Sequence, residues 1–146
     1  MGIGVSVRRV DAEAKVTGAA KYVEDLIPRD ALYVKVVHST VANGMVTRVD
    51  TAEAETMPGV VTVLTCFQVP DHQFTTAGHP KALDPAHGDI QDRLILTQRV
   101  RYYGDDVAAV VADTPLHAAQ AAEKVRVEYE AYPPVLTPEA AIGAEP

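Results

Sequence analysis

Three observations predict an α+β fold. Two segments share one plan of strand, Asp/Thr cap, alanine-rich helix and strand: VTRVDTAEAETMPGVVTVLT (46–65) and AAVVADTPLHAAQAAEKVRVEYE (108–130). The run Val107–Ala112 is apolar without a break, which predicts a strand covered on both faces. Val125, Val127 and Tyr129 alternate with Arg126, Glu128 and Glu130, the period-two signature of a half-buried strand. The residues of the two segments differ too much for a true repeat, so the pattern gives helices packed on β-sheet and no more.

The elements follow in order. Residues 1–30 read as an irregular lead-in ending in the turn LIPRD (26–30). LYVKVVHS (32–39) is rich in β-branched residues and predicts a strand. ANG (42–44) is a turn signal and MVTRVD (45–50) a second strand, so their closeness predicts a hairpin. A helix is expected at about 51–57, with Asp50 accepting first-turn amides, Glu53 completing a capping box and Met57-Pro58-Gly59 stopping it. VVTVLT (60–65) is a strand. Residues 68–92 form a long polar loop holding three of the five histidines, a length expected to be functional, disordered or pressed against a partner. RLILT (93–97) resumes extended structure, and Tyr103-Gly104-Asp105 makes a turn. After the apolar strand, Thr114 caps a helix at about 115–124. Pro115 sits in its first turn, where a missing amide hydrogen costs nothing. The last strand stops at Pro133 and Pro134. The resulting division is a lead-in 1–30, a main domain 31–133, and a Pro/Ala/Gly tail 134–146 that reads as a linker.

Composition narrows the function classes. The 146 residues suit one domain with an extension, and their 47% hydrophobic content excludes general disorder. Lys and Arg total 13 against 20 for Asp and Glu, a net charge of −7 with no dense cationic track. Nucleic acid and anionic membrane surfaces are therefore poor partners. Cys66 stands alone, so it forms no internal disulfide and fits a reducing compartment. MGIGVSVRRVDAEAKVTG lacks a long apolar stretch, so neither a signal peptide nor a membrane span is expected there, and the expected location is the cytoplasm.

Candidate chemistry is thin. His72, His79 and His87, with Asp71, Asp84 and Asp89, are seven or eight residues apart, outside compact metal-ligand spacing. Cys66 ends an apolar strand and reads as a buried, inert thiol. MGIGVS lacks the preceding strand, third glycine and following helix of a dinucleotide fingerprint. His117 is one helical histidine and reads as a surface residue. Asp105 and Asp106, adjacent in a strand, point to opposite faces and make no joint acid–base pair. No catalytic, cofactor-binding or metal-ligating residue is assigned.

Four ordered segments carry a resemblance: RRVDAEAKVTGAAKYVEDL (8–26), VVHSTVANGMVTRVDTAEAETMPGVVTVLT (36–65), RLILTQRVRYYGDDVAAVVADT (93–114) and AAEKVRVEYEAYPPV (121–135). Together they resemble the N-terminal a/b hammerhead domain of the molybdenum-binding subunit in the xanthine dehydrogenase/aldehyde oxidase family. Arg9, Asp11, Lys15, Thr17, Gly18 and Tyr22–Asp25 stand at its opening signature. Asp50, Ala52, Pro58, Gly59 and Val60 match its first helix–strand junction. Tyr103, Gly104, Val107, Ala108, Val111, Ala112, Ala122, Val125, Val127, Tyr129 and Glu130 match its second. Asp105 departs from the pattern, which commonly has Gln after the glycine. FTTAGHPKALDP (74–85) with RLILT is similar to the bacterial xanthine dehydrogenase branch.

The resemblance implies an α/β-hammerhead with a mixed β-sheet and two main helices. It implies an intact oxidoreductase of purine metabolism that oxidises purine to urate with molybdopterin, two [2Fe–2S] clusters and FAD, whose binding motifs lie outside these residues. The implied partners are the remainder of the molybdenum subunit and the [2Fe–2S] and FAD subunits or domains. The isolated chain is then an inactive structural or docking domain. Three alternatives stand beside it: the same domain of an aldehyde oxidase or other molybdenum hydroxylase, a free-standing hammerhead interaction protein, and a small histidine-loop metalloprotein.

Overall fold

The computed structural model describes residues 3–75 and 90–142. It divides into two compact units, Met1–Ala31 and Leu32–Pro146.

The first unit holds more local structure than an irregular lead-in. Helix α1, Ala12–Val16, closes where the Thr17 hydroxyl donates to the Glu13 carbonyl (2.7 Å). A 3-10 turn, Val23–Leu26, is capped by the Asp25 carboxylate accepting from the Tyr22 amide (3.0 Å). Neither element buries a residue.

The second unit has two three-stranded sheets and a small ribbon. In the first sheet, β7 (Asp106–Ala112) lies between β1 (Tyr33–His38) and β3 (Val60–Thr65), antiparallel to both. In the second, β2 (Gly44–Asp50) lies between β6 (Arg99–Val100) and β8 (Arg126–Ala131), again antiparallel. The α+β class stands. The expected single mixed sheet is corrected in detail, since each pairing among the described residues is antiparallel and the strands divide between sheets.

The expected hairpin of residues 32–39 with 45–50 does not form: β1 and β2 belong to different sheets. The reason lies at Ser39, which is buried. Its amide donates to the Asp105 carbonyl (2.7 Å), and its carbonyl accepts from the Gly104 amide (2.9 Å). Its hydroxyl closes a tight turn on the Val41 amide and carbonyl (3.1 and 2.9 Å). The chain therefore leaves β1 beside residues 104–105. ANG serves β8 instead: the Tyr132 amide donates to the Asn43 carbonyl (2.9 Å), and the Asn43 side chain donates to the Pro133 carbonyl (2.8 Å). At Gly44 a Cβ would strike the Glu130 backbone, so only glycine permits this approach.

The helices are shorter than expected. α2 spans Ala52–Glu55 and α3 Pro115–Ala122. Asp50 accepts from the Ala52 amide (3.2 Å) as anticipated. Glu53 forms no capping box; its carboxylate reaches Lys124 (2.7 Å) and Arg126 (3.5 Å), because the cations after α3 offer a charged partner that a backbone amide does not match. Thr114 caps α3 through the His117 amide (3.2 Å), with Pro115 in the first turn. Ala118 and Ala121 are buried, which lets α3 lie close to β1 and β7.

One core cluster joins Val63, Val110, Ala54 and Ala121, the interface of first sheet and helices. A second joins Val46, Val100 and Val107. Val110 is fully closed to water, and burial of such a side chain stabilises by about 1.5–3 kcal/mol.

The polar segment 68–92 is not loop throughout. β4 (Phe74–Thr75) pairs with β5 (Gln91–Arg93); residues 76–89 lie outside the described residues. RLILT is extended only at Arg93, after which the chain bends. The tail carries α4, Pro138–Ala141, one turn capped by the Thr137 hydroxyl (3.2 Å from the Ala140 amide).

Gly59 and Gly104 both have positive φ, 78° and 94°. A Cβ at Gly104 meets open space, whereas one at Gly59 would overlap the Asp113 carboxylate and the His117 ring. Gly104→Ala should cost about 1–2 kcal/mol from backbone conformation alone. Gly59→Ala should cost about 1–3 kcal/mol more, through displacement of that pair. Urea midpoints of the two variants check the ordering.

Candidate functional site

The candidate side chains among the described residues fall into four places. The first is the turn before β7. Asp105 is 2% exposed, and its carboxylate accepts from the Arg101 amide (3.1 Å) and the Asp106 amide (3.2 Å). Arg93 stands 3.6 Å from the same carboxylate and donates to the Tyr102 hydroxyl. That hydroxyl, ahead of the carboxylates, raises the Arg93 guanidinium above its ordinary value. The result is a pinned turn. A cavity of about 170 Å³ beside it is lined by Arg93, Arg99, Arg101 and Asp105. Its cations are already engaged: Arg101 with Asp92 (3.4 Å), and Arg99 with the Asn43 side chain and the Gly44 and Val100 carbonyls.

The second place is the pair His38 Nδ1–Asp106 Oδ1 (2.9 Å). Asp105 thus turns inward and Asp106 toward β1, the opposed orientation that adjacency in the chain predicts. The third is His117 Nδ1 and Asp113 Oδ1 at 2.6 Å. The imidazole beside it holds the Asp113 carboxyl below its ordinary value. The surface reading of His117 missed this pair, although D-T-P-x-H carries the i,i+4 spacing that brings such groups together. Gly59 roofs it, with its carbonyl accepting the Asp113 amide (2.9 Å).

The fourth is Cys66, half-buried in a depression with Phe67, Val69 and Leu96. Burial pushes its thiol up to about 11 from 9.0. It is therefore largely protonated at neutral pH, the less nucleophilic form.

Of the histidine–aspartate set, Asp71 and His72 are exposed, while His79, His87, Asp84 and Asp89 lie outside the described residues. Among the described residues, no group of three or more His, Cys, Asp or Glu side chains is placed to hold a metal ion. No helix among them is long and apolar enough to cross a membrane.

Comparison with known proteins follows this geometry. The family model "Aldehyde oxidase and xanthine dehydrogenase, a/b hammerhead domain" matches residues 17–133. The xanthine dehydrogenase molybdenum-binding subunit of Escherichia coli O157:H7 is 44% identical over 137 residues, covering 94% of this chain and 18% of that protein. The aldehyde oxidoreductase of Megalodesulfovibrio gigas is 37% identical, covering 97% and 16%. Among solved structures, the aldehyde oxidoreductase of Desulfovibrio desulfuricans superposes with a TM-score of 0.77 at 34% identity, covering 96% of this chain and 16% of that one. Quinoline 2-oxidoreductase of Pseudomonas putida gives a TM-score of 0.78 at 29% identity, covering 99% and 18%.

Two outcomes follow. The Cys66 shift leaves about a hundredfold less thiolate than an ordinary thiol at neutral pH. Because a more basic thiolate is also the stronger nucleophile, disulfide-exchange reagents should modify the folded chain about tenfold more slowly than the urea-unfolded one. Glu53, held down chiefly by its hydrogen bond to Lys124, and Asp113, held down by His117, have folded values below their ordinary 4.5 and 3.8. Their stabilisation is complete above those ordinary values and is lost as pH falls through the lowered ones. Melting temperature should therefore drop on acidification below pH 4.5, and less steeply in Glu53→Gln, whose melting temperature at neutral pH should also be lower.

Proposed function

Since this chain belongs to the aldehyde oxidase and xanthine dehydrogenase a/b hammerhead family, we propose that it acts as a structural and docking domain and contributes no catalytic group. It is the hammerhead domain of a molybdenum hydroxylase subunit. It spans 18% of the length of the Escherichia coli O157:H7 relative. The activity therefore belongs to the intact complex, and the reading of that complex as xanthine dehydrogenase-like, oxidising purine to urate in the cytoplasm, is ours.

One observation carries the proposal: the candidate acids and histidines are engaged with one another or with the backbone, and the one thiol is half-buried. Asp105 is consumed by two amides and Arg93, Asp106 by His38, and Asp113 by His117. Asp105, buried among two backbone amides and an arginine, is turned away from solvent and so from a substrate.

The family implies molybdopterin, [2Fe–2S] clusters and FAD in the complete enzyme. The chain does not fit the iron–sulfur clusters as a ligand set. Iron–sulfur clusters require several thiolates, and the chain has one cysteine, which is held protonated. We assign all three to the remainder of the subunit and to partner subunits or domains. The segments 1–30 and 134–146 then serve as lead-in and connection around the domain 31–133.

The xanthine dehydrogenase reading is favoured by 44% identity to a subunit of that name, against 37% to an aldehyde oxidoreductase. An aldehyde-oxidising parent is the second reading, favoured by the close superposition on aldehyde oxidoreductase. Elemental analysis tests the role: the purified chain should hold less than about a tenth of an equivalent of molybdenum or iron, because no preformed ligand set awaits them among the described residues. Stoichiometric molybdenum on the pure chain would overturn it. Oxidation of xanthine rather than aldehydes by the complete enzyme decides between the two parents.

A further inference from the structure

The first sheet has two faces with different fates. On one, Val63 and Val110 pack beneath α2 and α3 through Ala54 and Ala121. The pairing register places two other rungs on the opposite face, Val34–Val111–Thr62 and Val36–Ala109–Leu64. Those six residues carry no charge in a chain of net charge −7. The face is open along its two edges, where Val34 is 61% and Leu64 40% exposed, while Val36 and Val111 are half-buried and Ala109 at its centre is buried. β7 is apolar on both sides, the composition of a strand covered twice. Within this chain it is covered fully once.

We propose that this second face seats the hammerhead domain against the remainder of the molybdenum-binding subunit, and that the occupant is an uncharged, apolar surface of that subunit. The inference rests on the docking role proposed above. The solved neighbours supply the reason to choose this occupant over a second copy. There, the matching region is 16–18% of one longer chain, so most of the polypeptide lies outside the domain and is tethered to it. A tether raises the local concentration of that body well above any free second copy. Charge supports the choice. Burial of charged side chains is costly unless they are paired, and this patch asks for none of it. The ion pairs lie elsewhere on the domain, Arg48–Glu128 between β2 and β8 and Lys124–Glu53 on the helix side.

Hydroxyl-radical footprinting tests the proposal on two wild-type proteins, the isolated chain and the complete molybdenum subunit. Labelling of Val34 and Leu64 should fall about tenfold in the complete subunit, because the core of an interface is packed like a protein interior. Leu116, an exposed residue of α3, serves as the reference and should keep its labelling. Equal labelling of Leu64 in both proteins would overturn the proposal. Protection already present in the isolated chain, and lost on dilution, would assign the face to self-association and likewise overturn it. A reading frame that closes without a molybdenum-binding region would instead remove the docking reading itself, a distinct failure. A double variant, Val34→Lys with Leu64→Lys, gives the second arm. It should leave the far-ultraviolet circular dichroism of the isolated chain unchanged while reducing the yield of soluble complete subunit, and Leu116→Lys should do neither. Val34→Thr with Leu64→Thr replaces it if the lysines unfold the chain. Normal yields of both double variants would count against the seat.

Discussion

The start of β7 is the constraint on which the rest depends. Over three consecutive residues its backbone accepts from three separate parts of the chain: Asp105 from the Ser39 amide (2.7 Å), Asp106 from the Thr97 amide (2.7 Å) and Val107 from the Cys66 amide (3.0 Å). The exit of β1, the approach to β6 and the exit of β3 are thus fixed at one point. Buried amides and carbonyls must be paired, so moving any one of these segments would strand the others. Asp105 holds the point in place, since a buried carboxylate accepting two amides beside an arginine admits little rearrangement.

From that point the two sheets separate. Ser39 turns the chain out of the first sheet, and Gly44 lets it approach β8 in the second. Val37 touches both hydrophobic clusters and Val107 lies in the second, so the clusters meet beside the pinned turn. The far side of the first sheet is closed by α2 and α3. Lys124 and Arg126 then gather Glu53, tying the segment after α3 to α2. That ion pair is exposed, so its effect is on orientation more than on stability.

Much of this was legible in the sequence. The unbroken apolar run gave the central strand, and Thr114 with Pro115 gave the start of α3, because capping chemistry is local. The alternation after Lys124 gave β8 for the same reason. Partner choice was not legible. A turn signal at 42–44 says that the chain reverses there; whether the preceding strand or a distant one receives it depended on Ser39 meeting residues 104–105, some sixty-five residues away. Glu53 shows the same limit, since its capping-box spacing was correct and a distant lysine outcompeted the amide. At the candidate sites, the partial burial of Cys66 and the opposed aspartates follow from position along the chain. The Asp113–His117 pair was missed even though its spacing was visible, because a lone histidine was weighed without its neighbour one helical turn away. Nothing local to Asp105 marks it as buried, because its burial depends on the distant segments that close around the turn.

Among the described residues, the acids of the candidate sites are paired off within the fold. Catalysis needs a group whose proton or lone pair is available and whose charge is tuned by its surroundings. Here the perturbed groups are perturbed by bonds that hold the fold: Asp113 by the histidine beneath Gly59, Glu53 by the lysine after α3, and Cys66 by simple burial. Each shift runs toward the less reactive form, a carboxylate that is a weaker base or a thiol that is less ionised. Drawing any of them into a reaction would break the contact that positions it. A wall built this way is rigid where its polar groups are spent and adhesive where it has none, and its open apolar sheet face is the part left to meet a neighbour.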